Sequence, residues 1–175
     1  MGSEERARLV NLFRVLSACA CLAILAGCER REPAAPPAPA RVLAASEVSA
    51  ALGFAYTGDT GYAQVRSAQL PALYDNFRSE IFRQGVTKWD ERFDCNHFAA
   101  YYVALAQTRF YIENFHAATR AQSLAVGVFW YHSTRGPHAI VCALTERGAV
   151  FIEPQNGREI TLTPAERASA FLVAF

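Results

Sequence analysis

Charge of one sign is missing from this chain: 17 basic residues stand against 16 acidic ones. That balance leaves no cationic excess for a nucleic-acid backbone and no strong field for any other charged polymer. No internal repeat is visible, so a solenoid or array is excluded. No His-x-x-x-His or Cys-x-x-Cys spacing occurs, which removes the common zinc frameworks. A membrane-spanning run is also lacking. The apolar stretch from Val15 to Ala26 is shorter than the roughly 20 residues that a mature transmembrane helix needs. Cysteine is scarce, at five residues.

What is present begins with the leader. Arg6, Arg8 and Arg14 give a basic start, the apolar run follows, and Leu25-Ala26-Gly27-Cys28 closes it. Basic, apolar and small-residue parts in that order are the anatomy of an export signal. The closing motif resembles the lipobox of bacterial lipoproteins, in which the cysteine receives diacylglycerol and becomes the new N terminus. Residues 1–27 then read as a signal peptide, and residues 28–41 as the lipidated Cys28 and a tether. Pro33-Ala34-Ala35-Pro36-Pro37-Ala38-Pro39-Ala40 cannot build a core and favours extended, polyproline-like chain. The expected location is the bacterial cell envelope, on the periplasmic or extracellular side of a membrane held through lipid on Cys28. Glu29 leaves inner against outer membrane open.

Residues 42–175 are enough for one domain with a proper core, read as a monomer. Cys19 and Cys21 leave with the signal and Cys28 carries lipid, so only Cys95 and Cys142 remain. An exported, oxidising compartment favours a disulfide between them. The competing reading makes one of them a nucleophile.

Along the domain, residues 42–52 look weakly helical and Gly53 to Gly61 carries turn chemistry, as Thr57-Gly58-Asp59-Thr60-Gly61. After Pro71, the residues Leu73, Tyr74, Phe77, Ile81 and Phe82 recur at helical spacing, with Gly85 as the stop. A second helix starts near Cys95 behind Asp94 as N-cap, with Phe98, Ala99, Tyr102, Leu105 and Ala106 as its apolar face. Strand-like runs follow at Leu124–His132, His138–Leu144, Ala149–Ile152 and Glu159–Leu162, and Thr163-Pro164 opens a short helix. The second of these runs is apolar on both alternations, as a central strand is. Helices first and an antiparallel meander after them predict an α+β domain with a helix laid on a sheet.

Three positions in this frame carry chemistry. Cys95 lies in the first turn of a helix, where the partial positive charge favours a thiolate. His138 opens a buried strand, where an imidazole can accept the thiol proton. Glu153 ends the next strand and is placed to orient that imidazole.

Phe93-Asp94-Cys95-Asn96-His97-Phe98-Ala99, then Pro137-His138-Ala139-Ile140, then Phe151-Ile152-Glu153-Pro154-Gln155, resembles the transglutaminase-like cysteine peptidase superfamily over roughly residues 62–162. The resemblance implies a papain-like fold and an envelope-anchored thiol hydrolase or acyltransferase acting on peptide or amide bonds without a cofactor. In that scheme Cys95 is nucleophile, His138 general base and Glu153 the orienting acid, with Gln84 and Trp89 both open as oxyanion donors. Two departures stand out: the family's acid is usually Asp, and His97 occupies a position that is often acidic or small.

Two further readings stay beside this one. A cell-wall peptidase of the NlpC/P60 class also joins a helix-start cysteine to a strand histidine, although it usually carries Ser-Gly where this chain has Asn96-His97. An inactive binding or assembly module on the same fold needs no reactive thiol. Register discriminates: a loop over Glu146–Gly148 sets Glu153 opposite Val141, while a turn centred on Thr145-Glu146 sets it opposite His138. Alternation of side chains then decides whether acid and imidazole share a face. Should they not, Gln155 or Asn156 takes the orienting role. A disulfide and the triad exclude each other, since Cys142 lies four residues beyond His138, roughly 13 Å along a strand.

Overall fold

The computed structural model describes residues 41–86, 88–117 and 119–175. The expected signal peptide, Cys28 and the Pro/Ala tether up to residue 40 lie outside the described residues.

The chain opens with β1 (Val42–Ala44), α1 (Ala45–Leu52) and β2 (Gly61–Ala63). Two longer helices follow, α2 (Leu70–Arg83) and α3 (Cys95–Asn114). Then come β3 (Ser123–Leu124), β4 (Val126–Ser133), β5 (Gly136–Thr145), β6 (Gly148–Glu153), β7 (Arg158–Ile160), the short α4 (Pro164–Ala168) and β8 (Leu172–Ala174). β7, β6, β5, β4 and β8 form one antiparallel sheet in that order, with β5 at its centre. β1, β2 and β3 make a smaller mixed sheet.

Local chemistry explains where the elements stop and start. α2 ends at Gly85, whose φ of 77° suits a residue without a Cβ. Its closing bonds, Gly85 N–H to Phe82 O at 2.9 Å and Val86 N–H to Ile81 O at 3.1 Å, are the paired contacts of a Schellman ending. Asp94 caps α3 by accepting from the backbone N–H of Asn96 at 3.0 Å. Thr163 caps α4 by accepting from Glu166 N–H at 3.2 Å.

Pleat alternation divides the large sheet into two faces. Val126, Val128, Ala139, Val141, Ala143, Val150 and Ile152 point one way and pack under α2 and α3. From above, Leu73, Phe77 and Ile81 of α2 and Phe98, Ala99, Tyr102 and Ala106 of α3 close on them. Phe129, Tyr131, Ile140, Cys142, Phe151 and Val173 point the other way and form a second core. Leu52 of α1 and Ala170 pack against that second core. β5 is therefore covered on both sides, which is why its sequence shows no polar alternation.

Three expectations needed correction here. The 42–52 stretch is a strand followed by a helix, not one weak helix. Phe82 is 72 % exposed despite its helical spacing, because the buried row of α2 runs Leu73, Phe77, Ile81. Strands β1, β2 and β8 were not anticipated; each is three residues long, too short to show a period.

Candidate functional site

The start of α3 is held from two sides. Asp94 secures the first backbone N–H groups, and His97 Nδ1 lies 2.9 Å from its Oδ1. Asn96 Oδ1 accepts from Trp130 Nε1 at 2.6 Å, tying the helix start to β4. Cys95 is half-buried here with a free thiol, packed at the margin of the core beneath α2 and α3. Cys142 is also free and fully buried. Burial pushes the Cys142 thiol well above the ordinary thiol range, since a thiolate there would have no solvation. A disulfide is ruled out by the pleat: Cys142 points into the second core, away from the face that α3 covers.

His138 and Glu153 meet, with His138 Nε2 2.8 Å from Glu153 Oε2. The turn between β5 and β6 is neither of the two considered from sequence. Thr145 pairs with Gly148 across Glu146-Arg147, and Val141 pairs with Ile152. Glu153 therefore continues opposite Ile140, on the same face as His138. That face is the one carrying Tyr131, Ile140 and Cys142. The His138 ring lies 5.9 Å from the Tyr131 ring, centroid to centroid. α3, by contrast, covers Ala139, Val141 and Ala143. Among the described residues no hydrogen bond joins the Cys95 thiol to His138.

The two residues expected as oxyanion donors lie elsewhere. Gln84 caps the end of α2, and its side-chain N–H donates to Glu80 Oε1 at 3.0 Å. Trp89 is 51 % exposed in the connection between α2 and α3. Of the five residues expected to act together, His138 and Glu153 are in hydrogen-bond contact and the other three are not joined to them.

Trp89 belongs to a different feature. A cleft of about 710 Å³ runs between α2, the residues Val86, Lys88 and Trp89, and the segment after β6. Its α2 wall is the row Tyr74, Arg78 and Phe82, one turn apart and adjacent to the buried row. Trp89 and Lys88 face that wall, with Asp75, Pro154 and Gln155 completing the rim. Neither Cys95, His138 nor Glu153 lines it. Arg78 and Lys88 take part in no ion pair among the described residues. Gly157 seats the cleft's Tyr74: a Cβ there would lie 2.5 Å from the ring, and its φ of 73° excludes most side chains. Sequence reasoning missed this cleft because Tyr74 and Phe82 fit a core-facing helical spacing. The available signal was the cation Arg78 between them.

No family model matches this chain, and no curated protein matches it. Solved structures similar in fold include the following two. One is a PSL1a–E64 complex, at 22 % identity and TM-score 0.59, covering 77 % of this chain and 50 % of that one. The other is Polyporus squamosus lectin bound to the human-type influenza-binding epitope Neu5Aca2-6Galb1-4GlcNAc. It matches at 19 % identity and TM-score 0.58, over 77 % of this chain and 49 % of that one. The chain thus spans about half the length of the structures it matches.

These findings correct the transglutaminase-like, papain-like assignment: the domain is a mixed α+β one, similar in fold to about half of each of these two chains, the second of which is a lectin. The thiol hydrolase or acyltransferase reading goes with it, and so does the NlpC/P60 alternative. The physical reason that three ordered motifs misled is local. Asp-Cys at a helix start is also an ordinary N-cap, and His and Glu on adjacent strands are also an ordinary cross-strand pair.

Proposed function

We propose that this domain is a carbohydrate-binding module and that the cleft beside α2 is its binding site. The observation that carries the reading is the lining of that cleft, where exposed aromatic faces stand among charged and amide side chains. A sugar ring has apolar C–H faces and a rim of hydroxyl groups. Trp89 and Phe82 offer flat apolar surface for the faces. Asp75, Arg78 and Gln155 offer planar polar groups that can bridge neighbouring hydroxyls. The volume lies within the ordinary range for small-ligand clefts. Arg78 and Lys88 outnumber Asp75, which suits an acidic sugar. The similarity to a lectin bound to a sialylated trisaccharide supports the same class of ligand.

The module is held at a bacterial membrane through Cys28 in this reading, in the cell envelope and facing away from the cytoplasm. The support is the order of basic, apolar and Leu-Ala-Gly-Cys segments.

Titration calorimetry of the chain against neutral and sialylated oligosaccharides tests the binding. The expected outcome is saturable binding to at least one of them, strongest for acidic glycans, and weakened about tenfold in Trp89→Ala, the loss of one stacking contact. Absence of binding to the whole panel at millimolar glycan would sink the reading.

A further inference from the structure

The far end of α3 carries an apolar surface that the fold does not use. Tyr111 and Ile112 in its last turn, and Phe115 just beyond, are 60 %, 67 % and 60 % exposed. The Tyr111 and Phe115 rings meet edge to face at 5.3 Å, and Phe115 lies 4.8 Å from the His116 ring, centroid to centroid. Earlier in the same helix, Phe98, Ala99, Tyr102 and Ala106 are buried. Single exposed apolar residues are normal on any surface, but three large ones within five positions form a patch.

The tether indicates what covers it. Gly61 of β2 has two near neighbours at its Cβ position, Arg120 O at 3.1 Å and Val42 Cγ1 at 3.3 Å. Gln122 Oε1 accepts from the backbone N–H groups of Thr60 at 2.9 Å and Gly61 at 3.2 Å. The strand where the chain enters the domain and the segment that follows the patch are thus packed on the same β2 residue. Phe115 is five residues before Arg120, so it lies no more than about 18 Å from it. From Cys28 to Arg41 the chain extends at most about 45 Å. A lipid surface that holds Cys28 is therefore within reach of the patch. Exposed Arg120, close to the entry strand, suits anionic headgroups.

We propose that Tyr111, Ile112 and Phe115 dip into the lipid surface that anchors the chain, fixing how the domain lies on it. Aromatic and aliphatic side chains together suit the boundary between headgroups and acyl chains, where a phenol keeps its hydroxyl wet while its ring leaves water. The inference rests on Cys28 being the lipid anchor.

The test uses the lipidated chain reconstituted into vesicles of phosphatidylcholine and phosphatidylglycerol, with and without brominated acyl chains. Phe115→Trp and Tyr111→Trp each place an indole in the patch, and the parent chain supplies the background of Trp89 and Trp130. The expected result is blue-shifted added emission that brominated lipid quenches at least twofold. Added emission like that of indole in water, unquenched while the protein floats with the vesicles, overturns the proposal. A blue shift that grows with protein density but ignores bromine assigns the patch to a second copy and overturns it too. Mass spectrometry of the Cys28 peptide separates the two levels. Lipid mass with an unquenched indole removes the patch alone, and a peptide without lipid mass removes the anchor and the patch together.

Discussion

The two faces of β5 are made from one ten-residue run, yet they live in different surroundings. Ala139, Val141 and Ala143 lie under α2 and α3, in a core that continues up to the margin where Cys95 is half-exposed. His138, Ile140 and Cys142 face the second core, which ends at its open edge in the His138–Glu153 pair. The difference teaches that nearness along the chain and order of motifs do not decide which groups can react. A strand separates its neighbours by turning them to opposite sides. Cys95 lies at the margin of the first core, while pleat alternation sets His138 on the face of Ile140 and Cys142.

The largest expected effect that sharpens this comparison is a difference in thiol labelling. Cys142 is sealed in the second core and should alkylate only through global opening, a fraction of roughly 10⁻³ or less. Cys95 should label in the folded chain. Mass spectrometry of the two cysteine peptides after timed alkylation measures the ratio. Fast labelling of Cys95 well below pH 7 that disappears in His138→Ala would show instead that the thiol and the imidazole meet.

Next in size is Phe77→Ala, which empties the first face. Phe77 is buried between Phe98, Tyr101 and Tyr102, so the cavity should cost about 3–5 kcal/mol in urea unfolding. A loss below about 1 kcal/mol would show that α2 does not pack on the sheet as described.

The matching change on the second face is Gly127→Val. A Cβ at Gly127 would lie 2.3 Å from Ala174 O and 2.5 Å from the Phe175 ring. β8 must move away, and overpacking of this kind costs about 1–3 kcal/mol. An unchanged urea midpoint would mean that β8 is not seated against β4. Retained glycan binding in this variant is also expected, because the cleft lies on the other side of the sheet.

The smallest effect is a matter of pH. Glu80, near the end of α2, is lowered to about 2 by its hydrogen bonds with Arg83 and then Gln84, opposed by a smaller desolvation. A depressed carboxyl stabilises the fold above its unfolded value near 4.5, and that contribution fades as pH falls through about 2. Glu80→Gln should therefore slightly flatten the acid limb of a thermal-stability profile between pH 4.5 and 2. Arg83 is exposed and Glu80 only partly covered, so a large change would contradict the screening expected there.

Much of this architecture could be read from composition and spacing, for reasons that are local. Gly85 stops α2 because only a residue without a Cβ takes its backbone angle cheaply. Asp94 starts α3 because a short carboxylate reaches the first free N–H groups. β5 reads as a central strand because both its faces are apolar. The three short strands β1, β2 and β8 could not be read, since three residues establish no period and their pairing partners lie far along the chain. The cleft was hidden because Tyr74 and Phe82 look like core residues until the angular position of each row on α2 is known.

By itself, then, the sequence determined the local decisions: where helices start and stop, which runs are strands, which charges balance, and that the front of the chain resembles a lipoprotein leader. Only the tertiary structure decided the relations. Among these are the two-residue turn that puts Glu153 on His138's face, the pleat that points Cys142 away from Cys95, and the packing that leaves Trp89 and Phe82 bare beside Arg78. The physical reason is that capping and periodicity act over a few residues, whereas register and facing depend on contacts that close loops of tens of residues.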